Sequence, residues 1–100
     1  MFKLVFTPEF EKSYLKETKN DTKTRQKILK ALEYLKDNPF YPSLKSHKVS
    51  TKKYSNVWSS WITPDLRLIW QFDSDQKLTI VCLEIGSHSG SNQVYKNKSS

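Results

Sequence analysis

Cysteine and long apolar runs are nearly absent from this sequence, and each absence excludes a class of protein. The single cysteine, Cys82, cannot form an internal disulfide, and with only His47 and His88 beside it a zinc site is incomplete. No stretch reaches the ~18 to 20 apolar residues that span a bilayer, and the apolar start at residues 1–6 is too short for a signal-peptide core. We therefore expect a soluble cytoplasmic protein without a metal or other cofactor.

Acidic residues are missing from the middle of the chain. None occurs between Asp37 and Asp65, although the whole sequence has 10 acidic and 17 basic residues and a formal net charge of +7. The segment carries concentrated positive charge instead, on Lys45, His47, Lys48, Lys52 and Lys53. Such a patch indicates a polyanionic partner that is bound through its phosphate groups. The alternative is a solvated lysine-rich surface loop, because lysine is usually exposed.

The amount of apolar material fits one domain. Of the 100 residues, 36% are hydrophobic and 13% aromatic, which is enough for one core and too little for two separate cores. No repeat or internal linker divides the chain. We expect a single domain over residues 1–95 and a mobile tail over residues 96–100, since terminal residues that nothing ties down are usually mobile.

Capping signals predict two helices after a short N-terminal strand. The Thr7 hydroxyl can accept a hydrogen bond from a free helix N–H, and Pro8 suits the first helical position, so the first helix should run from Pro8 to about Lys19. Asp21 caps a second, longer helix whose apolar residues share one face and which ends before Pro39. The two predicted helices form a hairpin.

Alternating apolar residues predict strands at residues 2–6, 57–62 and 66–72, and a run that is apolar on both faces predicts a fourth at residues 78–85, ended by Gly86. Tight turns favour antiparallel pairing of the last three strands, and the apolar last strand should lie in the middle of the sheet. The polar segment 39–56 is expected to be a loop. The predicted fold is α+β: an N-terminal strand, a helical hairpin and three antiparallel strands, forming a four-stranded sheet with both helices on one face.

Three stretches carry a resemblance to a known family. They are residues 44–49, LKSHKV, residues 58–70, WSSWITPDLRLIW, and residues 84–88, EIGSH. In these stretches the chain resembles the RelE/ParE superfamily of toxins of type II toxin-antitoxin systems, most closely its RelE and YafQ branch. The resemblance implies a RelE-like fold and a ribosome-dependent, metal-independent mRNA endoribonuclease that inhibits translation. The partners it implies are a cognate antitoxin, the ribosome and mRNA.

Position by position, the resemblance also implies a cleavage site. Cleavage of RNA by its own 2′-hydroxyl needs a base, an acid, and positive charge near the phosphate. Histidine can perform either proton transfer near neutral pH, whereas arginine stays charged and can donate two aligned hydrogen bonds to phosphate. The implied catalytic residues are His88 and His47 as acid or base, Asp65 as orienter or base, and Arg67 as phosphate stabiliser. Of the expected RNA-binding residues, Lys45, Lys48 and, loosely, Tyr95 follow from the resemblance. Lys52 and Lys53 follow from the positive charge of their segment, and Trp61 from base stacking, since an exposed indole beside a basic loop can stack on a nucleobase.

Several of these residues have other interpretations. Trp61, Leu66 and Glu84 stand where the YafQ pattern has histidine, tryptophan and, often, arginine. These differences favour a non-catalytic inhibitor of DNA gyrase, like the ParE branch, whereas the basic loop with His47 and His88 argues against it. The charge alone favours a third alternative, a degenerate or unrelated nucleic-acid-binding module. Arg67 has a structural alternative, an ion pair with Glu84 across neighbouring strands. Asp65 has one as an ordinary turn former.

Overall fold

The computed structural model describes residues 1–87. Their elements, in chain order, are β1 (Lys3–Phe6), α1 (Pro8–Thr18), α2 (Thr22–Asp37), a 3₁₀ helix (Pro42–Leu44), β2 (His47–Val49), β3 (Val57–Trp61), β4 (Leu66–Phe72) and β5 (Thr79–Ser87). Neither helix in this part of the chain has the length and apolar content needed to cross a membrane. The predictions for His88, Tyr95 and the tail at residues 96–100 fall outside the described residues.

Within residues 1–87, five strands form one mixed sheet in the order β1-β5-β4-β3-β2. β1 lies parallel to β5, and the other neighbours are antiparallel. The α+β class and the antiparallel pairing of β4 with β5 are confirmed, but the predicted number of four strands is wrong. The additional strand, β2, lies in the segment predicted as a loop. Its only apolar residue is Val49, so pairing with β3 rather than an apolar pattern defines it.

The last strand, β5, is longer than predicted and continues through Gly86 to Ser87. Gly86 therefore does not end the strand. It lies directly opposite Arg67 on β4. A glycine inside a strand is typical of a position where another group approaches closely.

Both helices begin at the predicted caps. Thr7 Oγ1 accepts a hydrogen bond from the N–H of Phe10 at 3.0 Å. Asp21 accepts hydrogen bonds from the backbone N–H and the hydroxyl of Thr24 at 3.0 and 2.7 Å, and these bonds lower the pKa of the Asp21 carboxyl. Both helix ranges are confirmed to within one residue of the prediction. They were predictable because capping signals act between residues that are close in sequence.

The two faces of the sheet differ in what covers them. On the face that we call the helical face, both helices pack on the sheet through one large core: Phe10, Ile28, Ala31, Leu35, Leu44, Leu66, Leu68, Trp70, Ile80, Cys82 and Ile85. The predicted position of both helices on one face is therefore confirmed. The opposite face, which we call the distal face, carries a small buried cluster of Val57, Ile69 and Leu83.

A chain of hydrogen bonds ties the segment before β2 to the helical face. Trp70 Nε1 donates to Ser60 Oγ at 2.7 Å. The hydroxyl oxygens of Ser60 and Ser46 are 2.6 Å apart, and Ser46 donates to the carbonyl oxygen of Pro39 at 2.6 Å. Because each hydroxyl has one proton, Ser60 donates to Ser46. The chain therefore fixes Ser46, the residue directly before His47.

Candidate functional site

The register of the strands brings several predicted site residues onto the distal face. His47 on β2 lies opposite Ser59 on β3, and two residues further along β3, Trp61 lies opposite Arg67 on β4. Directly opposed residues share a face, as do residues two apart on one strand. His47, Trp61 and Arg67 therefore share the distal face. Strand spacings place the Cα atoms of His47 and Arg67 about 12 Å apart.

His47 is exposed, and the backbone orients its ring. The ring Nδ1 lies 2.9 Å from the carbonyl oxygen of Lys45, which ends the 3₁₀ helix in a left-handed conformation with φ of 48°. A carbonyl can only accept a hydrogen bond, so Nδ1 carries the proton. In the neutral ring the lone pair is then on Nε2. A histidine in this state can take up a proton at Nε2, which is the role of a general base.

Trp61 joins two cations to this face. The Arg67 Cζ atom is 4.4 Å from the centroid of the Trp61 ring, and Lys45 Nζ is 5.2 Å from it. Tryptophan is the aromatic side chain that attracts cations most strongly. Lys45 therefore contributes to the distal face although it precedes β2. We call Lys45, His47, Trp61 and Arg67 the distal-face cluster.

Arg67 is nearly buried, with 6% of its surface exposed. Its Nη1 donates to the carbonyl oxygens of Thr63 and Pro64 at 3.0 and 2.5 Å. The alternative of an ion pair with Glu84 is wrong, because the Glu84 carboxylate accepts a hydrogen bond from Lys53 instead. Arg67 therefore holds the β3–β4 turn in place. Its burial and its bonds to the turn weaken its predicted role as a direct phosphate ligand.

Asp65 lies exposed in that turn. Thr63 Oγ1 accepts hydrogen bonds from the N–H groups of Asp65 and Leu66 at 3.2 and 2.9 Å, so the turn has internal support. The Asp65 carboxylate accepts a hydrogen bond from the Ser87 hydroxyl at 3.0 Å. Asp65 thus links the turn to the last residue of β5. Ser87 directly precedes His88 in the sequence.

The predicted phosphate-binding lysines point in different directions. Lys45 belongs to the distal-face cluster, whereas Lys48 lies on the helical face, with Nζ 5.2 Å from the ring centroid of Trp58 and 3.2 Å from Oδ1 of Asn56. Consecutive residues of a strand point to opposite faces, so the Lys48 side chain cannot lie on the distal face with that of His47, its neighbour in β2. Lys52 is exposed in the β2–β3 loop. The structure therefore separates lysines that the sequence suggested as one patch.

Lys53 is engaged by acidic residues. Its Nζ is 3.2 Å from a carboxylate oxygen of Glu84 and 3.7 Å from one of Glu9. Burial lowers the pKa of Lys53, but the hydrogen bond to Glu84 and the charges of Glu84, Tyr54 and Glu9 outweigh it, so the pKa lies above its ordinary value. The ammonium therefore connects the β2–β3 loop to β5 and α1, which reduces its value as a phosphate ligand.

Sequence reasoning missed the contribution of α2. Lys27, Lys30 and Tyr34 line a cleft of about 150 Å³ between α2, the 3₁₀ helix and the end of β3. Trp61 also lines this cleft, so it adjoins the distal-face cluster. The three α2 residues recur at i, i+3 and i+7, a spacing that places them on one side of a helix. The spacing was visible in the sequence, but the opposing wall exists only in the fold.

The remaining titratable groups add little to this site. Within residues 1–87, no group of three or more His, Cys, Asp or Glu side chains is placed to hold a metal ion. Cys82 is buried in the core, and burial raises the pKa of its thiol to about 12, so the thiol stays protonated at neutral pH. His88 and Tyr95 lie outside the described residues, and their roles stay predictions.

Comparison with known proteins shows a family and similar folds. Residues 2–91 match the family model described as a bacterial toxin of type II toxin-antitoxin system, YafQ. No curated protein sequence matches the chain at a significant level.

Solved structures provide similar folds. A YoeB/ParE toxin from Agrobacterium tumefaciens has a TM-score of 0.70 and 20% identity, with 88% of this chain and all 100% of that chain covered. The Escherichia coli DinJ-YafQ complex has a TM-score of 0.66 and 17% identity, with 88% of this chain and 94% of that chain covered. The YoeB-YefM complex from Staphylococcus aureus has a TM-score of 0.65 and 20% identity, with 85% of this chain and 94% of that chain covered. At such identities the similarity shows the fold alone.

Proposed function

The chain belongs to the YafQ family of bacterial toxins of type II toxin-antitoxin systems, and we propose that it cleaves mRNA on the ribosome and thereby inhibits translation. The proposed location of this activity is the cytoplasm. The observation that carries the proposal is the state of His47, an exposed imidazole whose Nδ1 is fixed by the Lys45 carbonyl. This arrangement leaves Nε2 as the proton acceptor beside a cluster of cations.

In the proposed reaction, His47 Nε2 takes the proton from an RNA 2′-hydroxyl. The 2′-oxygen then forms a bond to the adjacent phosphorus, the bond from phosphorus to the 5′-oxygen breaks, and an acid protonates the leaving oxygen. The products are a 2′,3′-cyclic phosphate and a 5′-hydroxyl. His88 stays the predicted acid, and no step requires a metal.

Charge stabilisation and positioning are assigned to different residues. The Lys45 ammonium, held above Trp61, is the accessible cation of the distal-face cluster and would lie near the phosphorane. Arg67 acts as a positioning residue, because its guanidinium holds the turn that carries Asp65. Asp65 orients the end of β5 through Ser87.

A cognate antitoxin is the proposed inhibitory partner. Similar structures include toxin-antitoxin complexes, DinJ with YafQ and YefM with YoeB, and membership of the YafQ family supports the same kind of partner for this chain. Binding of the antitoxin is expected to block access of RNA to the distal-face cluster.

The experiment that tests the function maps RNA ends. The purified toxin is added to a translating extract, and to the same mRNA without ribosomes, and 5′ ends are sequenced. We expect new ends inside coding regions only when ribosomes are present. The new 5′ ends should carry hydroxyl groups, because the proposed reaction leaves the phosphate on the upstream fragment.

The same preparation is assayed for inhibition of DNA gyrase supercoiling. Absence of new RNA ends together with inhibited supercoiling would contradict the nuclease proposal and support the ParE-like alternative. Cleavage that is equally efficient on free mRNA would contradict ribosome dependence.

A further inference from the structure

The cleft on the α2 side of Trp61 has a composition suited to a flat ligand. Three aliphatic residues, Ala31, Leu44 and Ile62, and two aromatic residues, Tyr34 and Trp61, line it. Pockets with an apolar lining and a few polar groups are typical of small-ligand sites, but those for drug-sized ligands occupy roughly 300 to 1,000 Å³. A cleft of about 150 Å³ instead suits a fragment such as one nucleobase.

The lining of the cleft also carries positive charge. Lys27 and Lys30 lie along α2, and Ser43 supplies a hydroxyl from the 3₁₀ helix. Among the described residues that line the cleft, none is acidic. Two ammonium groups in a lining that is otherwise mostly apolar and aromatic favour a ligand that has both a flat apolar ring and a negative charge. A nucleotide with its phosphate has both.

The aromatic ring of Tyr34 is held in place by its neighbours. The Tyr34 ring stacks on Tyr41 with a centroid distance of 4.3 Å and an interplanar angle of 14°, and Lys30 Nζ is 5.9 Å from the Tyr34 ring centroid. A ring that is already ordered loses little conformational entropy when a base stacks beside it.

Trp61 connects this cleft to the proposed cleavage site. The same indole ring lines the cleft and contacts Lys45 and Arg67 of the distal-face cluster. We propose that the cleft between α2 and Trp61 binds one nucleotide of single-stranded RNA that flanks the cleaved phosphodiester. This subsite rests on the proposed cleavage function for its role, but its binding of RNA can be measured without cleavage.

The test measures binding of fluorescein-labelled hexauridylate to the purified toxin by fluorescence anisotropy, without ribosomes. The double variant Lys27→Glu/Lys30→Glu should bind at least about tenfold more weakly at ~0.1 M salt. The slope of the logarithm of its binding constant against the logarithm of the salt concentration should be shallower by about 0.7 for each lost phosphate contact. The matched control is Arg25→Glu/Lys36→Glu. It makes the same change of net charge at exposed positions of α2 that face away from the cleft.

Equal weakening by the two double variants would overturn the proposal, because it would show a general effect of charge. Unchanged binding by Lys27→Glu/Lys30→Glu, or a wild type that does not bind the hexamer at millimolar concentration, would overturn it too. Circular dichroism of every variant excludes unfolding as the cause.

A second probe separates base recognition from phosphate binding. A six-unit abasic sugar-phosphate chain has the charge of the hexamer without its bases. Wild type should prefer hexauridylate by about fivefold to 150-fold, the range expected for stacking of one base on an aromatic side chain. Equal affinity for both probes would overturn the assignment of a nucleotide subsite.

Failure of the cleft proposal can be distinguished from failure of the cleavage proposal. If the wild type produces no RNA ends on ribosomes but the Lys27 and Lys30 substitutions selectively weaken hexamer binding, the cleft is confirmed and the nuclease proposal fails. If mRNA is cleaved on ribosomes and those substitutions leave binding unchanged, the cleft fails and the nuclease proposal stands.

Discussion

The two faces of the sheet use the same kinds of residue for different purposes. On the helical face, Trp70 is fully buried and its indole N–H donates to Ser60. On the distal face, Trp61 is only partly buried and contacts the cations of Lys45 and Arg67. One tryptophan stabilises the core, and the other organises charge at the surface.

The two faces are nevertheless coupled through Ser46. Its hydroxyl belongs to the hydrogen-bonded chain of the helical face, while the next residue, His47, lies on the distal face. Because neighbouring residues at a strand's start point to opposite faces, anchoring Ser46 fixes the backbone from which His47 projects. The comparison predicts that substitutions on the helical face lower stability and that substitutions in the distal-face cluster lower activity, with Ser46 affecting both.

The largest expected loss of stability follows removal of the Trp70 side chain. Trp70→Ala should lower the free energy of unfolding by about 3 to 5 kcal/mol, because a fully buried indole leaves a cavity. Urea unfolding followed by circular dichroism measures this loss. Trp70→Phe, which keeps a ring but loses the N–H that Ser60 accepts, should lose less. A loss below about 1 kcal/mol for Trp70→Ala would contradict the assignment of this face as the core.

A smaller loss, on both sides of the comparison, is expected from Ser46→Ala. The variant removes the acceptor of the Ser60 hydroxyl and the donor to the Pro39 carbonyl. The free energy of unfolding should therefore fall by about 1 to 3 kcal/mol. Cleavage should fall even when the variant is fully folded, since His47 loses its anchor. The control, Ser55→Ala in the exposed β2–β3 loop, should stay within about 0.5 kcal/mol of wild type. Unchanged cleavage by folded Ser46→Ala would show that the two faces act independently.

The buried thiol gives a pH-dependent test of the helical face. Burial raises the pKa of Cys82 from 9.0 to about 12, so the folded protein binds this proton more tightly than the unfolded chain does. The stabilisation is fully present below pH 9.0 and is lost as the pH rises toward about 12. Relative to Cys82→Ala, wild type should therefore lose about 1.4 kcal/mol per pH unit above pH 9. Urea titrations at pH 7, 9 and 10 measure the difference, and parallel stability curves for the two proteins would refute burial of the thiol.

The smallest effect is expected at Lys53. Its ion pairs with Glu84 and Glu9 are partly exposed, with 53% of the lysine side chain accessible, so Lys53→Met should cost at most about 1 kcal/mol, and less at high salt. RNA binding should change little, because Lys53 faces acidic groups rather than the distal-face cluster. If Lys53→Met lost more RNA affinity than Lys45→Met, the result would show that Lys53 is part of the RNA-binding surface after all.

Local signals explain which parts of the fold were predictable. The two helices were predicted closely because Thr7, Pro8, Asp21 and Pro39 act within a few residues of the helix ends. β2 was missed because three residues with one apolar side chain have no pattern of their own, and the strand exists through pairing with β3. The parallel pairing of β1 with β5 joins strands about 75 residues apart, which no local pattern can indicate.

The site was predictable in part for the same reason. The family resemblance named His47 and Arg67, base stacking suggested Trp61, and the register places all three on the distal face. The positions of Lys48 and Lys53 were not predictable, because they depend on strand alternation in an unrecognised strand and on the distant Glu84. Arg67 could not be assigned to the turn from sequence, since its bonds to the Thr63 and Pro64 carbonyls follow from its burial in the folded chain.

The most direct test of the account is the rate of ribosome-dependent mRNA cleavage by His47→Ala, measured together with its unfolding free energy. We expect the rate to fall by about a hundredfold to ten-thousandfold, the contribution of one proton-transfer group, while stability changes by less than about 0.5 kcal/mol because the side chain is exposed. Gln71→Ala, an exposed substitution on the same face but at the far end of β4, is the matched control and should keep the wild-type rate. Undiminished cleavage by folded His47→Ala would contradict the assignment of His47 as the base on the distal face.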